Sequence, residues 1–166
     1  MYQLYLLGFI FFSLLNITFA EPLTDILIDV PIYEKDVGKK AFELCTVCHM
    51  PDAKGIEGVY PPLKNRIAMI ANLPKGRDYL PLVIANGLTG SLEIDDIPYM
   101  GVMIPQRGLL TDNQIAQVLN YIIHEIDDAT ETIPIYHENE IAEIFMRYPD
   151  ASAVNLIQLR HEVFKK

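Results

Sequence analysis

The two cysteines of this 166-residue chain stand close together and are followed at once by a histidine, in Cys45-Thr46-Val47-Cys48-His49. No other cysteine occurs, so this short segment carries the strongest constraint in the sequence. The spacing C-x-x-C-H is the attachment pattern of a covalently bound haem, in which each thiol adds to one vinyl group. It predicts a chain that folds around one haem, with His49 giving the iron a neutral imidazole nitrogen.

Three other uses of the cysteine pair fit the sequence less well. A zinc site would need further Cys or His residues at metal-binding spacing, and the flanking sequence supplies none. A thioredoxin-like redox pair would need a βαβ context, which the flanks lack. A disulfide is the plain structural alternative in an exported protein, but it leaves the adjacent His49 unexplained.

A second iron ligand is expected downstream, in the segment Pro98-Tyr99-Met100-Gly101-Val102-Met103-Ile104-Pro105. A thioether is a soft, neutral ligand that favours ferrous iron, and a proline-bounded loop can fold over the open haem face. Methionines more often simply pack in a core, but the upstream motif favours ligation. The other histidines, His124, His137 and His161, are expected to be solvated side chains rather than ligands.

These features resemble a class I monohaem cytochrome c domain over residues 33 to about 126. The resemblance is particularly close to cytochrome domains and subunits that accompany bacterial periplasmic dehydrogenases. The positions that carry it are Gly38, Phe42, Cys45-x-x-Cys48-His49, Gly55, Tyr60-Pro61-Pro62-Leu63, Gly87-Leu88-x-Gly90, Tyr99-x-Gly101-Val102-Met103 and Tyr121. Because Met103-Ile104-Pro105 matches the Met-Pro-Pro of that subtype, the resemblance implies that Met103, not Met100, is the axial ligand. Met50 and Ile104 depart from the Gly and Pro that the family usually has there.

The resemblance also implies one covalent haem c and roles for three further residues. The carbonyl of Pro61 should accept the Nδ1–H of His49, which fixes the ring and leaves Nε2 for iron. The alternative for Pro61 is a plain Pro-Pro turn. Tyr60 and Tyr99 are expected to line the haem pocket with hydroxyls in reach of the propionates, although tyrosines are also common in cores.

The implied function is that of an electron carrier, not an enzyme, because two strong ligands leave no open position on the iron. The expected partners are a donor dehydrogenase and an acceptor cytochrome or oxidase. The alternative is a haem enzyme or gas sensor with a labile distal ligand. The formal charge of −9 argues against nucleic-acid binding, which needs a basic face, and indicates either basic partners or simply good solubility.

Helical patterns predict an all-α fold wrapped around the haem. Asp36 is expected to cap a first helix. By the resemblance, Gly38 and Phe42 of this helix should cross a later helix near Val118 and Tyr121. No alternation of apolar residues argues for a major sheet.

Two further helices have clear start or stop signals. The segment Thr111-Asp112-Asn113-Gln114 is a capping box that opens the later helix. A middle helix is expected to start after Asp78 and to end near Asn86, with Gly87 as its left-handed stop. Pro81 would then fall in the first turn, where a missing N–H does no harm.

The chain divides into four expected segments. Residues 1–20 are an apolar export segment, residues 21–32 a linker, residues 33–127 the cytochrome c domain and residues 128–166 a helical extension. Cleavage after Ala20 would remove a signal peptide, but the apolar run is nearly long enough to span a bilayer, so a retained anchor stays open. In both cases the rest is exported, with the periplasm as the expected location and membrane contact only through a retained anchor.

The extension is predicted to form two helices. Apolar residues recur at helical spacing in each; these are Ile141, Ile144 and Phe145, and then Val154, Leu156 and Ile157. The extension can serve either as packing on the domain or as a docking element for a partner enzyme. Because the ligands and crossing helices all precede residue 127, deletion of residues 133–166 is expected to leave the haem spectrum unchanged.

Overall fold

A computed structural model describes residues 32–127, 129 and 133–165 of the chain. The predicted export segment 1–20 lies outside the described residues, as do most of the predicted linker 21–32 and most of residues 128–132. Among the described residues, no helix is long and apolar enough to cross a membrane. The elements follow in this order: α1 Lys35–His49, α2 Ile67–Ala71, α3 Gly76–Asn86, β1 Leu88–Ile94, β2 Ile97–Met103, α4 Asp112–Tyr121, a π-helical turn Ile122–Ile126, α5 Glu138–Arg147 and α6 Leu156–Val163.

Helices α1 and α4 cross at a glycine. A Cβ atom at Gly38 would collide with the carbonyl oxygen of Gln117 and lie 2.8 Å from Cβ of Tyr121. Phe42 is buried, and its ring centroid lies 5.7 Å from that of Tyr121. The predicted contact of Gly38 and Phe42 with the later helix is therefore confirmed, and Val118 of that helix is fully buried.

The starts of these two helices are held in different ways. Thr111 forms the predicted capping box: its hydroxyl accepts the N–H of Gln114 at 3.2 Å, and the Gln114 side chain accepts the N–H of Thr111 at 2.9 Å. The predicted cap at Asp36 is wrong, because α1 begins one residue earlier and Asp36 lies in its first turn. The buried side chain of Gln117 accepts the backbone N–H of Glu34 at 2.8 Å instead.

The middle helix, α3, begins at Gly76, earlier than predicted, and ends at Asn86. Pro81 therefore lies inside the helix rather than in its first turn. A proline at this depth leaves the carbonyl oxygen of Arg77 without its usual helical donor. The hydroxyl of Tyr136, from the C-terminal extension, donates to that oxygen at 3.1 Å. A distant part of the chain thus replaces the missing helical bond.

Between α3 and α4 the chain forms an antiparallel hairpin, so the predicted all-α fold class is correct only in part. Strands β1 and β2 pair from Leu88 with Met103 to Ile94 with Ile97. The two turn residues, Asp95 and Asp96, have φ angles of 53° and 64°, as a tight two-residue hairpin turn requires. Apolar side chains recur with a period of two along the core-facing side: Leu88, Leu92, Ile94, Ile97, Tyr99 and Met103.

The C-terminal extension packs into the same core as the residues before it. Helix α5 lies against α4, and α6 lies against α3 and β1. Ile141, Ile144, Phe145 and Leu156 are buried and Ile157 is half-buried, as their spacing predicts. Val154, which was expected to face inward, is 70% exposed because it precedes the first turn of α6.

Polar contacts reinforce this packing. The fully buried Asn120 donates to the carbonyl of Tyr136 at 3.0 Å and accepts its N–H at 2.7 Å. The Arg77 guanidinium donates to the carbonyl of Ile135 and to the carboxylate of Glu140, each at 2.8 Å. The structure therefore supports the packing interpretation of the extension.

Candidate functional site

The last turns of α1 bring together the residues of the C-x-x-C-H motif. Cys48 and His49 lie three and four positions after Cys45 on this helix, so both are neighbours of Cys45 on the helix surface. His49 is buried, and both thiols are free and half-buried. Met50, which ends the helix, has a φ of 64°. That left-handed conformation favours glycine, the residue that the family resemblance expects at this position.

The carbonyl of Pro61 fixes the imidazole ring of His49. The predicted hydrogen bond is present, with the Nδ1–H donating to that carbonyl at 2.8 Å, which leaves Nε2 available for a metal. Gly55 permits this approach, because a Cβ atom there would collide with the carbonyl oxygen of Tyr60 and lie 2.7 Å from that of Pro61. Backbone hydrogen bonds of 2.8 and 2.7 Å between Ile56 and Tyr60 close the loop.

Burial controls protonation at this site. It lowers the pKa of His49, against a smaller opposing effect of the Pro61 carbonyl, and so favours the neutral ring that metal ligation requires. Burial, with a smaller contribution from Cys48, raises the pKa of Cys45 to about 11. Redox-active C-x-x-C pairs depend on a lowered thiol pKa, so this environment disfavours the thioredoxin-like interpretation.

The hairpin separates the two candidate methionines. Successive side chains of a strand point to opposite faces, so Met100 and Met103, an odd number of positions apart, point in opposite directions. Met103 is half-buried and packs against the core, on the same side as Leu88 and Tyr99. Met100 is 82% exposed. Met103 is thus the methionine that faces the interior.

The backbone around Met103 is tightly held. Gly87 has a φ of 74°, and a Cβ atom there would collide with the carbonyl oxygen of Met103. Beyond the strand, the N–H groups of Gln106 and Arg107 donate at 2.9 and 3.1 Å to carbonyls in the last turn of α3. Carbonyls in the last turn of a helix have no N–H donor within that helix. These bonds therefore give the last carbonyls of α3 a partner and also fix the chain where it leaves β2.

Tyr60 and Tyr99, the predicted pocket aromatics, have different surroundings. Tyr99 is buried on the core-facing side of the hairpin, whereas Tyr60 is 38% exposed in the loop before Pro61. Their contacts with haem, and the reach of their hydroxyls to the propionates, stay predictions.

The remaining histidines lie apart from these residues. The expectation that His124 is solvated is wrong: its Nε2 is buried with no hydrogen-bond partner among the described residues, and its ring lies 5.9 Å from that of Tyr33. His137 directly precedes α5 and is half-buried. His161 is exposed on α6, as expected.

Large apolar side chains are exposed along the segments that carry these site residues. Their exposed fractions run from 43% to 76%, for Leu44, Val47, Ile56, Val59, Ile104 and Leu109. Such surface is unusual unless something binds it. Two free thiols, an oriented imidazole and this apolar surface together fit a large apolar group such as a haem, attached at Cys45 and Cys48.

A helical domain with this motif at the end of its first helix defines a protein that holds haem covalently. The sequence model of the cytochrome c family matches residues 36–124. Over 92 residues the chain is 40% identical to cytochrome c-552 of Thermus thermophilus, a match that covers 55% of this chain and 70% of that protein. A second cytochrome c-552 sequence from Thermus thermophilus is also 40% identical over 92 residues, which are 62% of its length. The chain belongs to the cytochrome c family.

This membership confirms the family resemblance and makes a covalently bound haem c the cofactor of the protein. It also supports haem-based electron transfer as the function. The matched segment ends at residue 124, before α5 and α6 of the extension.

Proposed function

We propose that the protein is an exported single-electron carrier whose haem iron is bound by His49 and Met103. The position of Met103 carries the proposal: it is the methionine on the core-facing side of the hairpin, and its backbone packs closely against Gly87. His49 complements it, because the Pro61 carbonyl occupies Nδ1 and leaves Nε2 for the iron. A bound haem c supplies an iron that changes its oxidation state by one electron.

The protein residues would suit this iron to electron transfer rather than to substrate chemistry. His49 and Met103 would together hold the iron and leave no position for a substrate. The thioether of Met103 would favour ferrous iron and raise the reduction potential. The hydrogen bond from His49 to Pro61 keeps the imidazole in one orientation and makes it a stronger ligand.

The proposed partners are a donor dehydrogenase and an acceptor cytochrome or oxidase in the periplasm. Covalent attachment suits an exported protein because it prevents loss of the haem. The formal charge of −9 favours partners with basic docking surfaces. The second candidate, a haem enzyme or gas sensor, would require that the distal ligand be weak or absent.

Substitution of each methionine tests the proposal. In Met103→Ala holoprotein, the weak charge-transfer band of ferric iron bound to a thioether should disappear. The reduction potential should fall, because a ligand that favours ferrous iron is gone. The reduced variant should bind carbon monoxide readily, whereas the parent should resist it. The matched control is Met100→Ala, which should keep the band and the potential of the parent.

Two results would contradict the proposal. If Met100→Ala abolished the band and Met103→Ala kept it, the ligand would be the exposed methionine. If the parent itself bound carbon monoxide at once, the iron would be open or loosely held. The enzyme or sensor would then be the better interpretation.

A further inference from the structure

The C-terminal extension contacts β1, the hairpin strand that pairs with the strand containing Met103. The N–H of Thr89 in β1 donates to the carbonyl of Ala153 at 2.9 Å, so the extension bonds the outer edge of this strand. Ile157 of α6 lies over the next residue, Gly90, where an added Cβ atom would be 3.3 Å from Cγ1 of Ile157. One backbone bond and one apolar contact therefore connect α6 and its preceding loop to β1.

The extension also contacts the segment that follows Met103. The guanidinium of Arg107 lies over the ring of Phe145 in α5, with its Cζ 4.3 Å from the ring centroid. Phe145 is itself buried against the core, so it is a fixed contact for the arginine. Both flanks of Met103 are thus attached to the extension.

The hairpin needs such support because it has little of its own. It contains two strands, and an isolated two-stranded hairpin is at best marginally stable in water. Side chains on the outward face of β2 and just beyond it, Met100, Val102 and Ile104, are each more than 60% exposed and contribute little packing. Besides the bonds that join the end of β2 to α3, the position of Met103 consequently depends on contacts that the extension makes with the hairpin segment.

We propose that the extension, residues 133–165, holds the Met103 segment closed over the haem and thereby sets how readily Met103 leaves the iron. The proposal rests on the proposed function, in which Met103 is the axial ligand. In this proposal, an external ligand replaces the thioether when the hairpin segment moves away from the iron. That motion weakens the contacts of Ala153, Ile157 and Phe145 with the hairpin segment, so these contacts favour the closed, ligated form. Ile157, Phe145 and Arg107 are positioning residues for Met103.

The test compares two variants of α6 in the haem-loaded, full-length protein. Ile157→Ala removes the side chain over Gly90. Leu159→Ala is the matched control: Leu159 is half-buried on the same helix but lies about 200° further round, among Lys75 and Tyr148. The rate of carbon monoxide binding to the reduced protein should rise roughly tenfold in Ile157→Ala, the factor given by about 1.4 kcal/mol. It should stay within about twofold of the parent in Leu159→Ala.

A second variant, Arg107→Gln, removes the contact with Phe145 and should also accelerate binding. Equal acceleration in Ile157→Ala and Leu159→Ala would overturn the proposal, because the extension would then act only through overall stability. Parent rates in both Ile157→Ala and Arg107→Gln would overturn it as well. These results count against the present proposal when the parent itself shows the ferric thioether band, because Met103 is then the ligand. A parent without that band would instead contradict the proposed ligation by Met103.

Discussion

At the scale of single residues, the hydroxyl of Tyr136 compensates for a proline inside a helix. It donates to the carbonyl of Arg77, to which Pro81 cannot donate because proline has no N–H. Burial raises the pKa of Tyr136, so the hydroxyl keeps the proton that it donates. A helix that would otherwise be weakened at its centre is therefore completed from outside the segment that the cytochrome c family model matches.

Removal of this hydroxyl should be costly. We expect Tyr136→Phe to lower the free energy of unfolding by about 1–3 kcal/mol, since it leaves the Arg77 carbonyl unbonded. Denaturant unfolding of the holoprotein measures the change. In a Pro81→Ala background the helix supplies its own N–H, so the same substitution should cost much less. An equal cost in both backgrounds would show that the hydroxyl does not compensate for the proline.

Residues of the site differ in how far the sequence predicts them. Cys45, Cys48 and His49 follow from chemistry alone, because the motif is contiguous. The role of Pro61 needs the family resemblance, since nothing in its neighbours shows where its carbonyl points. The contact of Tyr136 with Arg77 was not predictable, because no local pattern links residues so far apart in the chain.

At the scale of elements, local sequence signals predict the helices, but the sequence pattern did not predict the pairing of the two strands. The capping box at Thr111 and the spacing of Ile141, Ile144 and Phe145 are encoded within one or two helical turns. The hairpin is different: its alternating pattern is interrupted by Gly90 and Gly101, which lie opposite each other. Its turn lacks the glycine that usually marks a tight hairpin. The stretch from Leu92 to Tyr99, which alternates around two aspartates, is the signal that was available.

A substitution in the hairpin turn should make the protein more stable. Asp96 has a φ of 64°, which costs a side-chain-bearing residue more than glycine. Because Asp-Gly is a preferred pair for this turn, Asp96→Gly should raise the free energy of unfolding by about 0.5–1 kcal/mol. Denaturant unfolding measures this gain. Glu93→Gly, inside β1, is the control and should lower the same quantity; a loss of stability in both variants would refute the assignment of the turn.

At the scale of the whole molecule, the division into a haem domain and a separate extension does not describe the packing. The sequence places all the ligands before residue 127, which suggests an independent domain. The structure instead completes the core from the far end of the chain. Tyr136 and Asn120 are bonded to each other, and Ile141, Ile144 and Leu156 are almost entirely buried. Long-range contacts of this kind leave no periodic trace in the segment they stabilise.

Deletion of residues 133–166 should therefore have the opposite result to that expected from the sequence. It removes seven buried side chains: Ile133, Tyr136, Ile141, Ile144, Phe145, Leu156 and Val163. The aliphatic ones and Phe145 are each worth about 1.5–3 kcal/mol of burial. That sum is comparable with the whole stability of a typical domain, about 5–15 kcal/mol. We expect the truncated holoprotein to keep its covalent haem but to lose cooperative thermal unfolding, followed by circular dichroism, and to lose or weaken the ferric thioether band.

Removal of residues 165–166 alone is the control and should change stability by less than about 0.5 kcal/mol, because α6 ends before them. A truncated protein with the band and the unfolding midpoint of the parent would show that the extension is dispensable for the fold, and docking to a partner would then be the better account of its role.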